Sequence, residues 1–286
     1  MASYIIYTYQ FAPIINDGAN LFQPTPDVGQ RMKSKQTYLQ GILLDKNFKF
    51  NSKREGIFEH QLRYNSNGVI ILKLANNKQL SLEENFKKKK HNYSPSCFVI
   101  IDNRQDVQHI AIEDDSTAFS TTDVVRNIME YSLRKALKIY GLTISIKKEY
   151  QETEFWQLLE QYPKGVSMVR FHFSYPNLPR VSESISTLIS NQSKITNSKS
   201  TTFELKSSDS EQLALSNDNE ELNGLVNASA DSGNVITLKV KGLRRYIKTG
   251  DTTKKFEIDD LETQMQSDDL FQSGFERIIG LLNAAK

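Results

Sequence analysis

The chain is 286 residues long, 38% apolar and 24% charged, with a formal net charge of +2. That length carries one large domain or two smaller ones, each with its own core, and the composition is that of a soluble globular protein with polar loops. The single cysteine, Cys97, excludes an intramolecular disulfide and a thiolate metal cluster.

The opening "MASYIIYTYQFAPI" has no basic leading region and alternates apolar with polar residues, which predicts a strand over 4–11 and not a signal peptide. No run approaches the roughly 18 apolar residues of a bilayer span, so a reducing cytoplasm is the expected compartment. Residues 26–44 read as a helix with Met32, Tyr38 and Leu39 inward. "GIFEHQLRYN" and "GVIILKLAN" flank Ser66, Asn67 and Gly68, a hairpin signal. Lys87, Lys88, Lys89 and Lys90 follow the acidic "LEEN" and are expected at a helix end, where cations suit the dipole. Four consecutive lysines point around most of a helix, so solvated charge is the first reading and phosphate contact the second.

"SCFVIIDN" and "VQHIAIED" predict a second hairpin, and residues 120–141 the strongest helix. There Val125, Ile128, Met129, Ser132, Leu133, Ala136, Leu137 and Tyr140 share a face, with hydroxyls at 120–122 to cap it and Gly141 to end it. A strand over 142–148 and a short helix over 152–162 lead to Pro163 and Gly165, a boundary signal. Beyond it the order is strand 166–175, helix 182–191, strand 201–207, helix 218–230 and a strand from 235.

The expected fold is therefore α+β. A globular domain with a mixed or antiparallel sheet, residues 1–150, is interrupted by a smaller inserted α/β (β-α-β-α-β) domain, residues 151–255. Residues 256–286 return as a helix that carries Leu261, Met265, Phe271, Phe275, Ile278, Ile279 and Leu282 mostly along one stripe. That stripe packs back on the first domain, dimerises, or does both.

Chemistry is sparse. His60, His91, His109 and His172 are scattered without metal-ligand spacing, and no glycine-rich phosphate loop or nucleophile elbow occurs. Arg104 and His109 stand at the Arg-x4-His spacing of HEPN ribonucleases, but across a strand turn where that family has a helix. Glu204 and Lys206 imitate the end of a PD-(D/E)xK nuclease motif, yet no Asp lies between Pro163 and Glu204 to share a metal. Glu113, Asp114 and Asp115 are more simply read as solvated carboxylates before a helix. No metal or cofactor is expected.

Charge is instead segregated. Asp209, Glu211, Asp218, Glu220, Glu221 and Asp231 precede "VITLKVKGLRRYIKTGDTTKK", which sets Lys239, Lys241, Arg244, Arg245, Lys248, Lys254 and Lys255 against Asp251. Strand alternation points Ile236, Leu238 and Val240 inward with Lys239 and Lys241 out. Unbroken alternation would bury Arg244 and Lys248, so a one-residue bulge at Gly242 is expected. The exposed row becomes Lys239, Lys241, Arg244, Tyr246 and Lys248, with Arg245 left on the apolar side. Such a row suits phosphates spaced along a backbone; the competing reading is an edge strand protected by lysines.

Several local texts, in this order of elements, resemble the RexA phage-exclusion proteins and related bacterial anti-phage families. They are "YIIYTYQF", "SCFVIIDNRQDVQHIAIED" before a capped helix, "VSMVRFHFSYPNLPR", and the basic strand before a final helix. The likeness spans most of the chain as a pattern. It implies a non-enzymatic homodimer with a globular dimerising domain and a mobile middle domain. It also implies DNA binding without strong sequence preference, DNA more than RNA, and a sensor role that switches on an effector partner encoded nearby, a membrane protein in phage exclusion. No DNA-contact residue is carried over from it. Two other readings stand beside this one: a divergent metal-dependent nuclease toxin, and a protein-interaction module that uses the acidic 209–231 stretch and the final helix.

Overall fold

In the computed structural model, strand β1 (Ala2–Pro13) divides its side chains between two apolar faces. Ile5, Tyr7, Tyr9 and Phe11 enter one core; Tyr4 and Ile6 enter another on the opposite face. The structure describes residues 2–14, 28–54, 56–84, 86–105, 107–162, 165–174, 200–208, 211–258, 261–264, 276 and 278–280. Contacts divide the chain into one unit of residues 1–146 with 255–286 and a second of residues 147–254.

The first unit continues through β2 (Phe50–Asn51), β3 (Ile57–Phe58), β4 (His60–Ser66), β5 (Val69–Ala75), β6 (Lys78–Glu84), β7 (Lys87–Tyr93), β8 (Ser96–Asp102), β9 (His109–Glu113) and β10 (Leu142–Lys148). Its main sheet runs β10-β1-β9-β8-β5-β4, and the returning strand Lys255–Ile258 also pairs antiparallel with β1. The expected turn at Asn67 and Gly68 joins β4 to β5, both residues at positive φ (51° and 77°).

Helix Thr122–Leu137 buries Val125, Ile128, Met129, Leu133 and Leu137 against one sheet face. Ser132 sits on that apolar stripe because its hydroxyl accepts from Asn51 N at 2.7 Å and donates to Ile128 O at 2.8 Å. The N-cap Thr121 makes no side-chain capping bond, and Gly141 at φ 66° ends the helix after a 3-10 turn. The expected helix over 26–44 is two helices, Val28–Lys33 and Lys35–Leu44. The other sheet face carries Phe256 and Ile258 of the returning strand, and Leu261 and Ile278 pack in the same cluster. Of the remaining stripe, Met265, Phe271, Phe275 and Leu282 lie outside the described residues.

Lys87–Lys90 do not end a helix. They form most of β7, which pairs with β6 in a separate two-stranded ribbon that sets Glu83 across from Lys88. Opposite charges facing each other stabilise such a pair, and the ribbon grows from the β5–β8 pairing through Asn76 N donating to Pro95 O at 2.8 Å.

The second unit holds β11 (Val166–Ser174), β12 (Ser200–Lys206), β13 (Thr237–Val240) and β14 (Ile247–Lys248) in the order β12-β11-β13-β14. Each of these pairings is antiparallel. Helices Thr153–Gln161 and Glu220–Asp231 bring Phe155, Leu222, Leu225 and Val226 onto Val169, Phe171, Ile236 and Leu238. Asn219 caps the second of these helices by accepting from Leu222 N at 3.0 Å. The helix expected over 182–191 lies outside the described residues.

Candidate nucleic-acid interface

The basic stretch is a hairpin and not a bulged strand. β13 stops at Val240, Lys241 N donates to Gly165 O, and Gly242 adopts φ 82°. The chain then turns back, so that β14 sets Ile247 opposite Leu238 and Lys248 opposite Thr237. A turn needing positive φ is where glycine is least strained, which is why Gly242 reverses the chain instead of shifting its parity. Leu243 and Ile247 pack on the core beside Leu238 and Val240.

This geometry divides the seven cations and the tyrosine into different roles. Lys241, Arg244, Arg245, Tyr246 and Lys248 are exposed, Tyr246 at 51%. Arg245, expected on the apolar side, faces water because the turn and not strand alternation sets its direction. Lys239 is a staple inside the hairpin. Its ammonium donates to Leu243 O at 2.7 Å and Arg244 O at 3.1 Å and lies 5.2 Å from the Tyr246 ring centroid. Lys254 leaves the expected row altogether: 15% exposed, it bonds Asp231 at 2.8 Å and stands 3.8 Å from Glu149. Lys255 is exposed on the returning strand of the first unit's sheet, opposite Ile5.

Beside the hairpin lies an open groove of about 490 Å³, lined in part by Tyr162, Arg245, Tyr246, Lys248 and Asp251. Its loop is held by a residue that strand patterning did not single out. Glu154 is 6% exposed, and its carboxylate accepts from the amides of Gly250, Asp251 and Thr252 and from the Thr252 hydroxyl at 2.6 Å. An acid in the first turn of a helix and a downstream "TGDTT" are ordinary on their own; their meeting is tertiary. Tyr162 was equally silent in sequence, as one aromatic before a proline.

Guanidinium and ammonium groups beside two phenol rings offer phosphate contacts and a surface for base stacking. Contacts of this kind position a backbone without reading its sequence.

Several residues that imitate catalytic motifs make contacts within the fold. Glu113 accepts from Phe98 N at 2.8 Å, and burial lifts its carboxyl above the usual range. Asp115 accepts from Thr117 N at 2.7 Å and from its hydroxyl. Arg104 bonds the buried Asp102 at 2.6 Å, and Glu204 pairs with Arg170 at 2.7 Å. Burial lowers the His60 imidazole, which packs edge-on to Phe50, and raises the Cys97 thiol to about 12. Among the described residues no cluster of three His, Cys, Asp or Glu side chains stands ready for a metal ion, and no helix is long and apolar enough to cross a membrane. Compared with known proteins, the chain matches no protein-family model and no curated protein.

Proposed function

We propose that this chain is a non-enzymatic DNA-binding protein that holds DNA without strong sequence preference through the β13–β14 hairpin. The observation that carries this reading is the one groove shared by Arg245, Lys248, Tyr246 and Tyr162, with Arg244 exposed on the same hairpin. Edge protection alone explains lysines; it does not explain two arginines and an exposed tyrosine on a tip that Lys239 staples from within. The RexA-like pattern supports a wider setting. There the chain is the cytoplasmic, homodimeric sensor of a bacterial anti-phage (abortive infection) system, and DNA contact switches on an effector partner.

The test is binding to mixed-sequence duplex DNA across a salt series. Three or four phosphates on the hairpin give a slope of log affinity against log salt of about −2.7 to −3.6. Arg245→Glu with Lys248→Glu should remove most of that affinity while leaving the thermal midpoint in place, because both side chains are exposed.

A further inference from the structure

We infer that the β6–β7 ribbon is a second DNA contact, an arm that lies in a groove of duplex DNA with lysines of the 87–90 run on the phosphates and Phe86 wedged against a base step. This rests on the DNA-binding role proposed above and extends it to a surface in the other unit. Among the described residues the ribbon's two strands pair only with each other, Lys78 at its base donates to Thr117 O at 2.6 Å, and the side chains from Gln79 through Ser94 are exposed where described. An isolated two-stranded ribbon is marginally stable in water and gains from something to lie against.

The ribbon's composition points to the partner. Five lysines, Lys78 and Lys87–Lys90, stand against two acids, Glu83 and Glu84. The register places Leu80, Leu82 and Tyr93 on one face with Lys87 and Lys89, and Gln79, Ser81 and Asn92 on the other with Lys88 and Lys90. Leu80 is 46% exposed and Leu82 42%. A net positive ribbon with apolar side chains along it complements a polyanion whose grooves display both base edges and sugar. Seven residues per strand reach about 23 Å, and β-ribbons enter either groove of the duplex.

The tip is the more telling feature. Phe86 has φ 63° and is 99% exposed. A left-handed backbone disfavours a bulky L-residue and favours glycine, and an aromatic ring in water gains nothing from burial. Two separate penalties therefore fall on one position, and no contact among the described residues offsets either. Apolar wedges that enter a base step partly unstack it and kink the duplex, which gives the ring a place to be buried.

The experiment uses the full chain, a linear duplex of roughly 125 bp, shorter than the persistence length of about 150 bp, and ligase-driven ring closure. The wild type should promote closure. Phe86→Gly, which suits the backbone and so folds at least as well, should keep its salt slope, because no cation is lost, yet lose closure by about tenfold, because stiff DNA must then bend unaided. Lys88→Gln with Lys90→Gln should lower the magnitude of the slope by about 1.8. Wild-type closure by Phe86→Gly, or an unchanged slope for the lysine pair, overturns the arm. If the Arg245→Glu, Lys248→Glu variant still binds weakly in that case, the hairpin reading survives without it. If that variant instead binds like the wild type while the ribbon variants fail, the hairpin reading falls and the arm stands. A wild type that binds no duplex at low salt overturns both.

Discussion

Lys239 shows why charge alone misassigns residues. It belongs to the same basic run as Arg245, yet its ammonium is spent on two tip carbonyls and the face of Tyr246. Lys239→Met loses both hydrogen bonds and loosens the tip, and should therefore weaken DNA binding by about threefold to tenfold, on the order of one net hydrogen bond, without changing the salt slope. Arg245→Ala should instead lower the magnitude of the slope by about 0.9. Fluorescence anisotropy over a salt series separates the two, and a slope change for Lys239→Met would place its charge on a phosphate after all. Glu154 illustrates the opposite case. Nothing in its local sequence marks it, because the three amides it accepts from lie nearly a hundred residues away.

At the scale of elements, legibility followed the strength of the local pattern. Helix Thr122–Leu137 was readable because its apolar residues recur at helical spacing over four turns, and even Ser132 fell on the correct face. What periodicity could not supply was the reason for a serine there: its hydroxyl receives Asn51 N from β2. Ser132→Ala leaves that amide without its acceptor and should destabilise the protein by about 1 to 3 kcal/mol in urea denaturation; a change near zero would mean water replaces the hydroxyl. The ribbon was misread because a run of lysines has no period of its own, and its turn lacks the Asn-Gly signature of a tight hairpin. The basic hairpin was misread for a related reason. A glycine between two apolar-alternating segments fits a bulge and a reversal equally well, and only pairing of Leu238 with Ile247 decides between them.

At the scale of the molecule, the α+β class with antiparallel sheets was legible, since strand and helix patterns rarely overlapped. Pairing order was not, because β1 meets β9, β10 and a strand more than 240 residues later through contacts that no local window contains. The second unit is closed where its chain enters and leaves: Tyr150 bridges Thr253, and Lys254 N donates to Glu149 O at 3.2 Å. Lys254 then lies between the Glu149 and Asp231 carboxylates, both almost fully buried. Lys254→Met removes the cation from that cluster and should destabilise the protein by about 3 to 5 kcal/mol, with the DNA salt slope unchanged. A lower slope with unaltered stability would return Lys254 to the binding row.

One comparison decides whether the β13–β14 hairpin holds DNA. Affinity for a mixed-sequence duplex is measured from low to high salt for the wild type and for Arg245→Glu with Lys248→Glu. A hairpin that holds DNA gives salt-dependent binding by the wild type and, for the variant, a slope lower in magnitude by about 1.8 or more with an unchanged thermal midpoint. Equal affinities and equal slopes for the two proteins would contradict it.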